Sequence, residues 1–358
     1  MSGALIELVA KGIQDVYITD TAGVSFFKIK YQRHTNFAQV PKKLGFTGPM
    51  PLPNSTSVVK LERLGDLVNH MWLEGASIVD RLPGTVFDLY IGGQRVDSQT
   101  FDYMNDIWQV YMAETYAKSR NINISTSSFF PLHFFFCDND MFLPLVALQY
   151  TEAEIRITWG SGVPQGAVID CYANYVYLDT TEREEIVSKD MDLMVTQVQR
   201  YASQLSVGRN VIDLGVLNHP VKSIYFGFEK EDLYVPDDSF TFSGADLQLN
   251  GTSAFEDMTP LYFHTVQCYY KTKFGNSGFN IQAGAPVYTR YFAHNFCMDA
   301  SSYKPTGTCN FSRLDNAKLV LKNVTISTAR AGDDIKVYAV NYNILRIKKG
   351  IAGIIFAN

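Results

Sequence analysis

Few residues in this chain have the types and spacings that carry chemistry. His264 and Cys268 stand four apart and His294 and Cys297 three apart, the nearest approach to a soft-metal ligand set. Their neighbours Tyr262, Phe263, Tyr269, Phe292 and Phe296 are aromatic. Packed imidazoles and buried thiols account for the same residues, neither pair has zinc-finger spacing, and no metal ligand is predicted. Asp138-Asn-Asp140 offers carboxylates to a calcium ion but lacks the glycine and closing glutamate of an EF-hand loop, so it reads as a turn. Gly160-Ser-Gly-Val-Pro-Gln-Gly166 is followed by a strand signal, whereas a phosphate cradle wants a helix N-terminus; it reads as a hairpin loop. His34 and His70 have no paired nucleophile, no serine occupies a G-x-S-x-G elbow, and Asp237-Asp238 and Asp333-Asp334 read as solvated loop tips. The sequence predicts no catalytic residue and no cofactor, hence not an enzyme. Modification sites are the remaining chemistry. Asn54, Asn123, Asn250, Asn310 and Asn323 satisfy N-x-[ST], and Asn54, in a proline-rich stretch, is the best exposed candidate for glycosylation.

Composition narrows the class. The 358 residues are enough for two domains that each bury a core. Aromatics at 13 % and charged residues at 19 % describe a core-rich chain and argue against disorder. A net charge of −5, with Lys42-Lys43 and Lys348-Lys349 as isolated doublets, gives no footprint for direct nucleic-acid binding. No apolar run approaches the ~18 residues of a membrane span, and no basic flank or cleavage site of a signal peptide is seen. Five cysteines without CxxC spacing read as reduced thiols, which points to the cytoplasm.

The elements that would position any site are mostly strands. Residues 1–22 read as an N-terminal arm, with Leu5, Leu8 and Val9 on one side at rough helical spacing. So short a helix is marginal in water; the arm orders against a membrane, a partner or the chain itself, or is a terminal strand tucked on the domain. Strand patterns follow at 24–31, 57–64, 67–79, 86–91, 131–137, 143–148, 154–159 and 167–178. The stretch 37–53, with Pro41, Pro49, Pro51 and Pro53, reads as a loop. A helix is predicted over 98–115, where Phe101, Met104, Trp108, Tyr111, Met112 and Thr115 share one face. Thr181 and Glu184 form a capping box that opens a polar connector, placing a boundary near Arg200. The second half has strand patterns at 223–228, 245–249, 317–321, 335–340, 344–347 and 351–356, and an aromatic helical stretch at 260–270. The division is therefore 1–22, 23–200 and 201–358.

The two halves echo one another. Asp88-Leu-Tyr-Ile-Gly-Gly93 corresponds to Asp246-Leu-Gln-Leu-Asn-Gly251, Thr151-Glu-Ala-Glu-Ile-Arg-Ile157 to Asp315-Asn-Ala-Lys-Leu-Val-Leu321, and Tyr172-Ala-Asn-Tyr-Val-Tyr-Leu178 to Ala339-Val-Asn-Tyr-Asn-Ile-Leu345. Three echoes in one order, with offsets drifting only by loop-sized amounts, indicate a duplication. About eight short strands per half predict an all-β fold: two tandem antiparallel eight-stranded jelly-roll β-sandwiches with short helical insertions.

Several blocks also carry a resemblance. Arg33-His-Thr-Asn-Phe-Ala38, Gly65-Asp-Leu-Val-Asn-His-Met71, Ile91-Gly-Gly-Gln-Arg-Val-Asp97, Leu143-Pro-Leu-Val-Ala-Leu-Gln-Tyr150, Pro305-Thr-Gly-Thr-Cys-Asn-Phe-Ser-Arg-Leu-Asp-Asn316, Asn341-Tyr-Asn-Ile-Leu-Arg-Ile347 and the tail from Gly350 resemble the major capsid proteins of nucleocytoplasmic large DNA viruses, of the iridovirus and phycodnavirus type. The resemblance implies a double jelly roll forming homotrimers, the pseudo-hexagonal capsomers of an icosahedral virion shell assembled in host cytoplasm. Its implied partners are the chain itself, neighbouring capsomers, minor capsid proteins and, through Leu5, Leu8 and Val9 of the arm, the inner viral membrane. The chain is shorter than many members, which puts large decorated loops in doubt. A same-fold transient scaffold or minor capsid protein, and a carbohydrate-binding jelly roll, are the alternatives, since fold alone does not fix function.

Overall fold

The computed structural model describes residues 12–14, 16, 34–49, 51–113, 129–138, 141–229, 240–272, 291–327 and 332–356. The chain divides into two compact units, Met1–Asn36 and Phe37–Asn358. In the first, a helical turn is closed by Val16 N–H on the Gly12 carbonyl at 3.2 Å. Leu5, Leu8, Val9 and the strand expected at 24–31 lie outside the described residues.

The second unit opens with an antiparallel sandwich. One sheet has the order β1–β9–β4–β7, from Phe37–Leu44, Asp170–Leu178, Leu67–Glu74 and Phe129–Pro131. The other has the order β2–β3–β8–β5–β6, from Phe46–Thr47, Thr56–Lys60, Ala153–Thr158, Val86–Ile91 and Gln94–Thr100. The period-two patterns explain why these segments pair. Phe87, Leu89 and Ile91 of β5 face inward opposite Ile157, Ile155 and Ala153 of β8, nearly all without exposed surface. Each large apolar side chain so buried contributes about 1.5–3 kcal/mol.

The second sandwich repeats this order. Its first sheet runs β10–β19–β12–β16 (Met191–Gln204, Asp334–Lys348, Pro220–Gly227, Tyr291–Asn295), with β17 (Cys309–Asn310) on β12 and β20 (Ile351–Ile354) on β19. Its second runs β11–β18–β14–β15 (Gly208–Asp213, Ala317–Ile326, Gly244–Leu249, Thr252–Met258), with β13 (Phe240–Thr241) on β18. Setting aside the short β2, β13, β17 and β20, strands one, eight, three and six of each half form one sheet and two, seven, four and five the other. That is a jelly roll, present twice. The first two sequence echoes fall on equivalent places, the turns after β5 and β14 and the strands β8 and β18. The third falls on the equivalent strands β9 and β19 but one residue out of step, since the pairing sets Tyr172 opposite Trp72 as Tyr338 is opposite Tyr225. Both turns need positive φ at two successive residues, which Gly92 (62°) and Gly93 (77°) supply in one and Asn250 (49°) and Gly251 (79°) in the other.

Several local expectations change. Residues 37–44 form β1 despite Pro41: among the described residues β1 pairs with β9 alone and is an edge strand, the place in a sheet where proline is tolerated. The helix expected over 98–115 starts later: residues to Thr100 finish β6, and a π-helix spans Tyr103–Met112. It is buried on nearly every side rather than along one face. Phe135–Cys137 and Leu145–Ala147 are 3-10 turns, not strands. The loop at 160–166 joins strands of different sheets and so is a crossover, not a hairpin. The connector helix is Thr180–Ser188, capped by the Asp179 carboxylate accepting from Thr180 N–H at 2.8 Å. Arg200, where the boundary was expected, lies within β10, which pairs with β19 along its whole length; the connector helix precedes it.

The crossover glycine is a tight point. A Cβ at Gly160 would lie 2.1 Å from the Pro83 carbonyl oxygen and 2.9 Å from the Gly84 carbonyl carbon, both backbone atoms that cannot swing aside. Gly160→Ala is expected to cost at least about 2–3 kcal/mol, measured as a lowered urea midpoint with native-like spectra below the transition.

Candidate assembly interface

The two sandwiches of this chain meet along a buried seam. The core of the first sandwich does not stop at its own sheets. It continues through the π-helix Tyr103–Met112 onto the outer face of the β10–β19–β12–β16 sheet, taking in Val195, Val198, Tyr225, Tyr291, Tyr338 and Val340. The alternation along each strand makes this possible. Phe226, Phe292 and Val337 point into the second sandwich's own core, while their neighbours Tyr225, Tyr291 and Tyr338 point out to the first. Tyr103 packs on Tyr338 with ring centroids 5.9 Å apart, and Tyr111 on Tyr225 at 5.3 Å. The Tyr111 hydroxyl donates to the Tyr291 carbonyl at 2.5 Å. Burial pushes the Tyr103, Tyr111 and Tyr225 phenols well above their ordinary range, so they stay neutral.

Polar groups lock the seam. Asp97 of β6, 4 % exposed, accepts from Val198 N–H of β10 at 2.8 Å, from Ser98 N–H at 2.9 Å and from the Gln99 side-chain amide at 2.6 Å. Gln197 donates to the Val96 carbonyl and accepts from the Asn343 amide at 2.9 Å and from Asn341 at 3.3 Å. These two asparagines are buried in the middle of β19, among Val340, Tyr342 and Leu345, and account for two of the polar letters of the Asn341–Ile347 block; the third, Arg346, pairs with Asp192 at 2.7 Å. Thr100 and the Tyr338 hydroxyl share a bond of 2.8 Å, Tyr338 bonds Glu229, and Glu229 holds Arg200 through two bonds. The tail adds a second tie: Ala352 N–H donates to Thr151 Oγ1 at 3.1 Å and Ile354 N–H to Gln94 Oε1 at 3.2 Å. At the connector, Asp66 accepts from Leu178 N–H at 2.8 Å and forms an ion pair with Arg183 at 2.8 Å.

The residues singled out for chemistry are dispersed. Cys268 belongs to the seam cluster, whereas His264 packs on Phe292 with centroids 4.2 Å apart and His294 on Phe255 and Phe296 at 5.0 and 4.8 Å. Burial lowers both imidazoles to about 4, with Lys271 contributing at His294, so both are neutral at pH 7. Among the described residues no group of three or more His, Cys, Asp or Glu is placed to hold a metal ion. Of the sequons, Asn54 is exposed in a turn at φ 56°. Asn250 accepts from Asn316 N–H at 3.1 Å in a turn, Asn310 accepts from Ser312 N–H at 3.1 Å as a cap, and Asn323, within β18, donates to Ser243 at 3.0 Å. Asn123 lies outside the described residues. Sequence reasoning missed Asp97 and Gln197, whose polar letters in β6 and β10 look like solvent-facing positions until the other sandwich is in place.

Two jelly rolls in tandem, fused through a buried seam, define the class of double jelly-roll shell proteins. The chain matches the family described as large eukaryotic DNA virus major capsid protein over residues 182–353, and major capsid protein N-terminus over residues 25–179. It is 31 % identical to the major capsid protein of Pyramimonas orientalis virus and 28 % identical to that of Paramecium bursaria Chlorella virus 1, in each case over 100 % of both chains. The fold matches a chain of the PBCV-1 virus capsid with a TM-score of 0.77, at 23 % identity, covering 93 % of this chain and 100 % of that one. The chain belongs to the family of major capsid proteins of large eukaryotic DNA viruses. It is a structural subunit of the virion capsid.

The seam carries a pH signature. Burial pushes the Asp97 carboxyl up to about 7, with the nearby charge of Asp88 adding to it, against three N–H donors that favour the ionised form. The folded state therefore binds more protons than the unfolded chain between about pH 4 and pH 7, and this group's contribution to stability falls as pH rises across that window. The slope is at most one proton's worth, about 1.4 kcal/mol per pH unit. Asp97→Asn is expected to flatten it, as read from urea midpoints between pH 4.5 and 8.

Proposed function

We propose that this subunit acts as a homotrimer, three chains closing into a pseudo-hexagonal capsomer that tiles the shell. The observation that carries this reading is the repetition of one jelly-roll order in two sandwiches joined in one compact unit. Three such chains offer six nearly equivalent wedges, so a three-fold object gains a nearly hexagonal outline that packs a plane. Closure requires a heterologous contact, the second sandwich of one chain against the first of the next. Neighbouring capsomers are then contacts between copies of the same surface, and minor capsid proteins and an inner membrane are the partners of the arm 1–22. Assembly takes place in the host cytoplasm, in keeping with five free cysteines, three of them buried. Asn54 is the sequon best placed to carry sugar.

Light scattering on the purified chain tests the reading. A stable species of three times 40.3 kDa, about 121 kDa, is expected, and a monomer at every concentration overturns it. Deleting residues 2–12 is expected to leave the trimer intact while abolishing closed shells in electron micrographs; loss of the trimer would refute the assignment of the arm to shell contacts.

A further inference from the structure

The seam inside the chain has a partly exposed counterpart on its surface. Within the second sandwich the three tyrosines under the π-helix occupy fixed register positions: Tyr225 of β12 pairs with Tyr338 of β19, and Gly227, two residues along β12, pairs with Tyr291 of β16. The first sandwich has aromatics at the same positions of the equivalent strands. Trp72 of β4 pairs with Tyr172 of β9, and Glu74, two residues along β4, pairs with Phe129 of β7. Trp72 and Tyr172 are stacked with centroids 5.6 Å apart, and Trp72 lies 6.5 Å from Phe129.

The two triads differ in what covers them. Tyr225 and Tyr338 have no exposed surface and Tyr291 has 2 %, because the insertion after β6 lies on them. Phe129 is 38 % exposed, Trp72 and Tyr172 are half-buried, and Phe37 and Val40 on the flanking edge strand are exposed. The equivalent insertion after β15 is the π-helix Tyr262–Val266 continued by the α-helix Gln267–Lys271. Its inner side buries Phe263 and Cys268, while Leu261 is 64 % exposed and Tyr269 and Tyr270 are each 72 % exposed. Among the described residues, one chain thus presents a partly exposed aromatic sheet face and, on a helix, an exposed aromatic pair.

We propose that the insertion Tyr262–Lys271 of one copy docks on the Trp72–Tyr172–Phe129 face of a second copy, repeating between chains the contact that Tyr103–Met112 makes within one. The occupant is a second copy because the register match specifies a surface that this family of sandwiches already builds in its own seam. The inference rests on the trimer reading and names its contact. Two hydroxyls, of Tyr269 and Tyr270, come to a face whose rim carries Glu74, itself an acceptor from Trp72 Nε1–H at 2.7 Å. This contact, used three times, closes the ring.

Two measurements decide it. The first is light scattering on the full chain carrying Tyr269→Glu and Tyr270→Glu, with circular dichroism melting as the check on folding. Since both side chains are exposed, the melting midpoint of the diluted monomer is expected to be unchanged, and the trimer dissociation constant to rise at least 100-fold. The second needs no variant: hydroxyl-radical footprinting of the wild-type chain at trimer-forming and at dissociating concentrations. Oxidation of Trp72, Tyr172, Tyr269 and Tyr270 is expected to drop several-fold in the trimer. A wild-type trimer whose variant associates equally well, or whose four residues oxidise equally in both states, overturns this contact and leaves the trimer standing. A wild-type chain that never trimerises overturns both.

Discussion

The structure depends on one constraint: the outer face of the β10–β19–β12–β16 sheet has to be apolar although it belongs to no core of its own sandwich. A jelly roll standing alone would present that face to water and carry charged side chains on it. Here Tyr225, Tyr291 and Tyr338 are fully buried by the neighbouring sandwich. Each such ring removes a large area from water and contributes about as much as any core residue. The middle strands of this sheet are therefore buried on both sides, one side for each sandwich: β12 from Val221 to Gly227, and β19 at seven consecutive positions, 337–343. A chain built this way cannot lose one domain without exposing the other.

Polar groups set the register of that contact. An apolar seam of tyrosines and valines tolerates sliding, whereas Asp97 on Val198 N–H, Gln197 between Val96 and Asn343, and Thr151 on Ala352 N–H are satisfied at one alignment only. Leaving any of them unpaired in so dry a place costs about 1–3 kcal/mol. For a subunit that must repeat the same angle many times over a shell, a fixed relation between its two sandwiches is as much a functional property as a binding site is in an enzyme.

Duplication gives this design its economy. The same strand order, the same two-residue turn after the fourth strand and a helical insertion after the fifth recur in both halves. The halves also diverge where their surroundings differ. The first insertion is buried almost all round and the second keeps one side open to solvent, although both carry tyrosines at helical spacing. Histidines and cysteines that looked like a ligand set sit in this same divergence, His264 and His294 as neutral rings packed against phenylalanines and Cys268 at the seam.

What the amino-acid sequence determined by itself was the local and the repeated. Alternation in β5 and β8, the Gly-Gly and Asn-Gly turns, and three echoes between the halves gave the sandwich class and its duplication, because period-two burial and positive φ are properties of short stretches. Six quoted blocks gave the family. The tertiary structure alone decided which side of each element is inside. Pro41 sits in a strand because that strand is an edge, a fact about its neighbours and not about residues 37–44. The helix near 103 is buried all round because two sandwiches meet there, and no periodicity within ten residues can report a second domain. Asp97 and Gln197 read as surface letters for the same reason: a side chain's burial is set by what the rest of the chain brings against it.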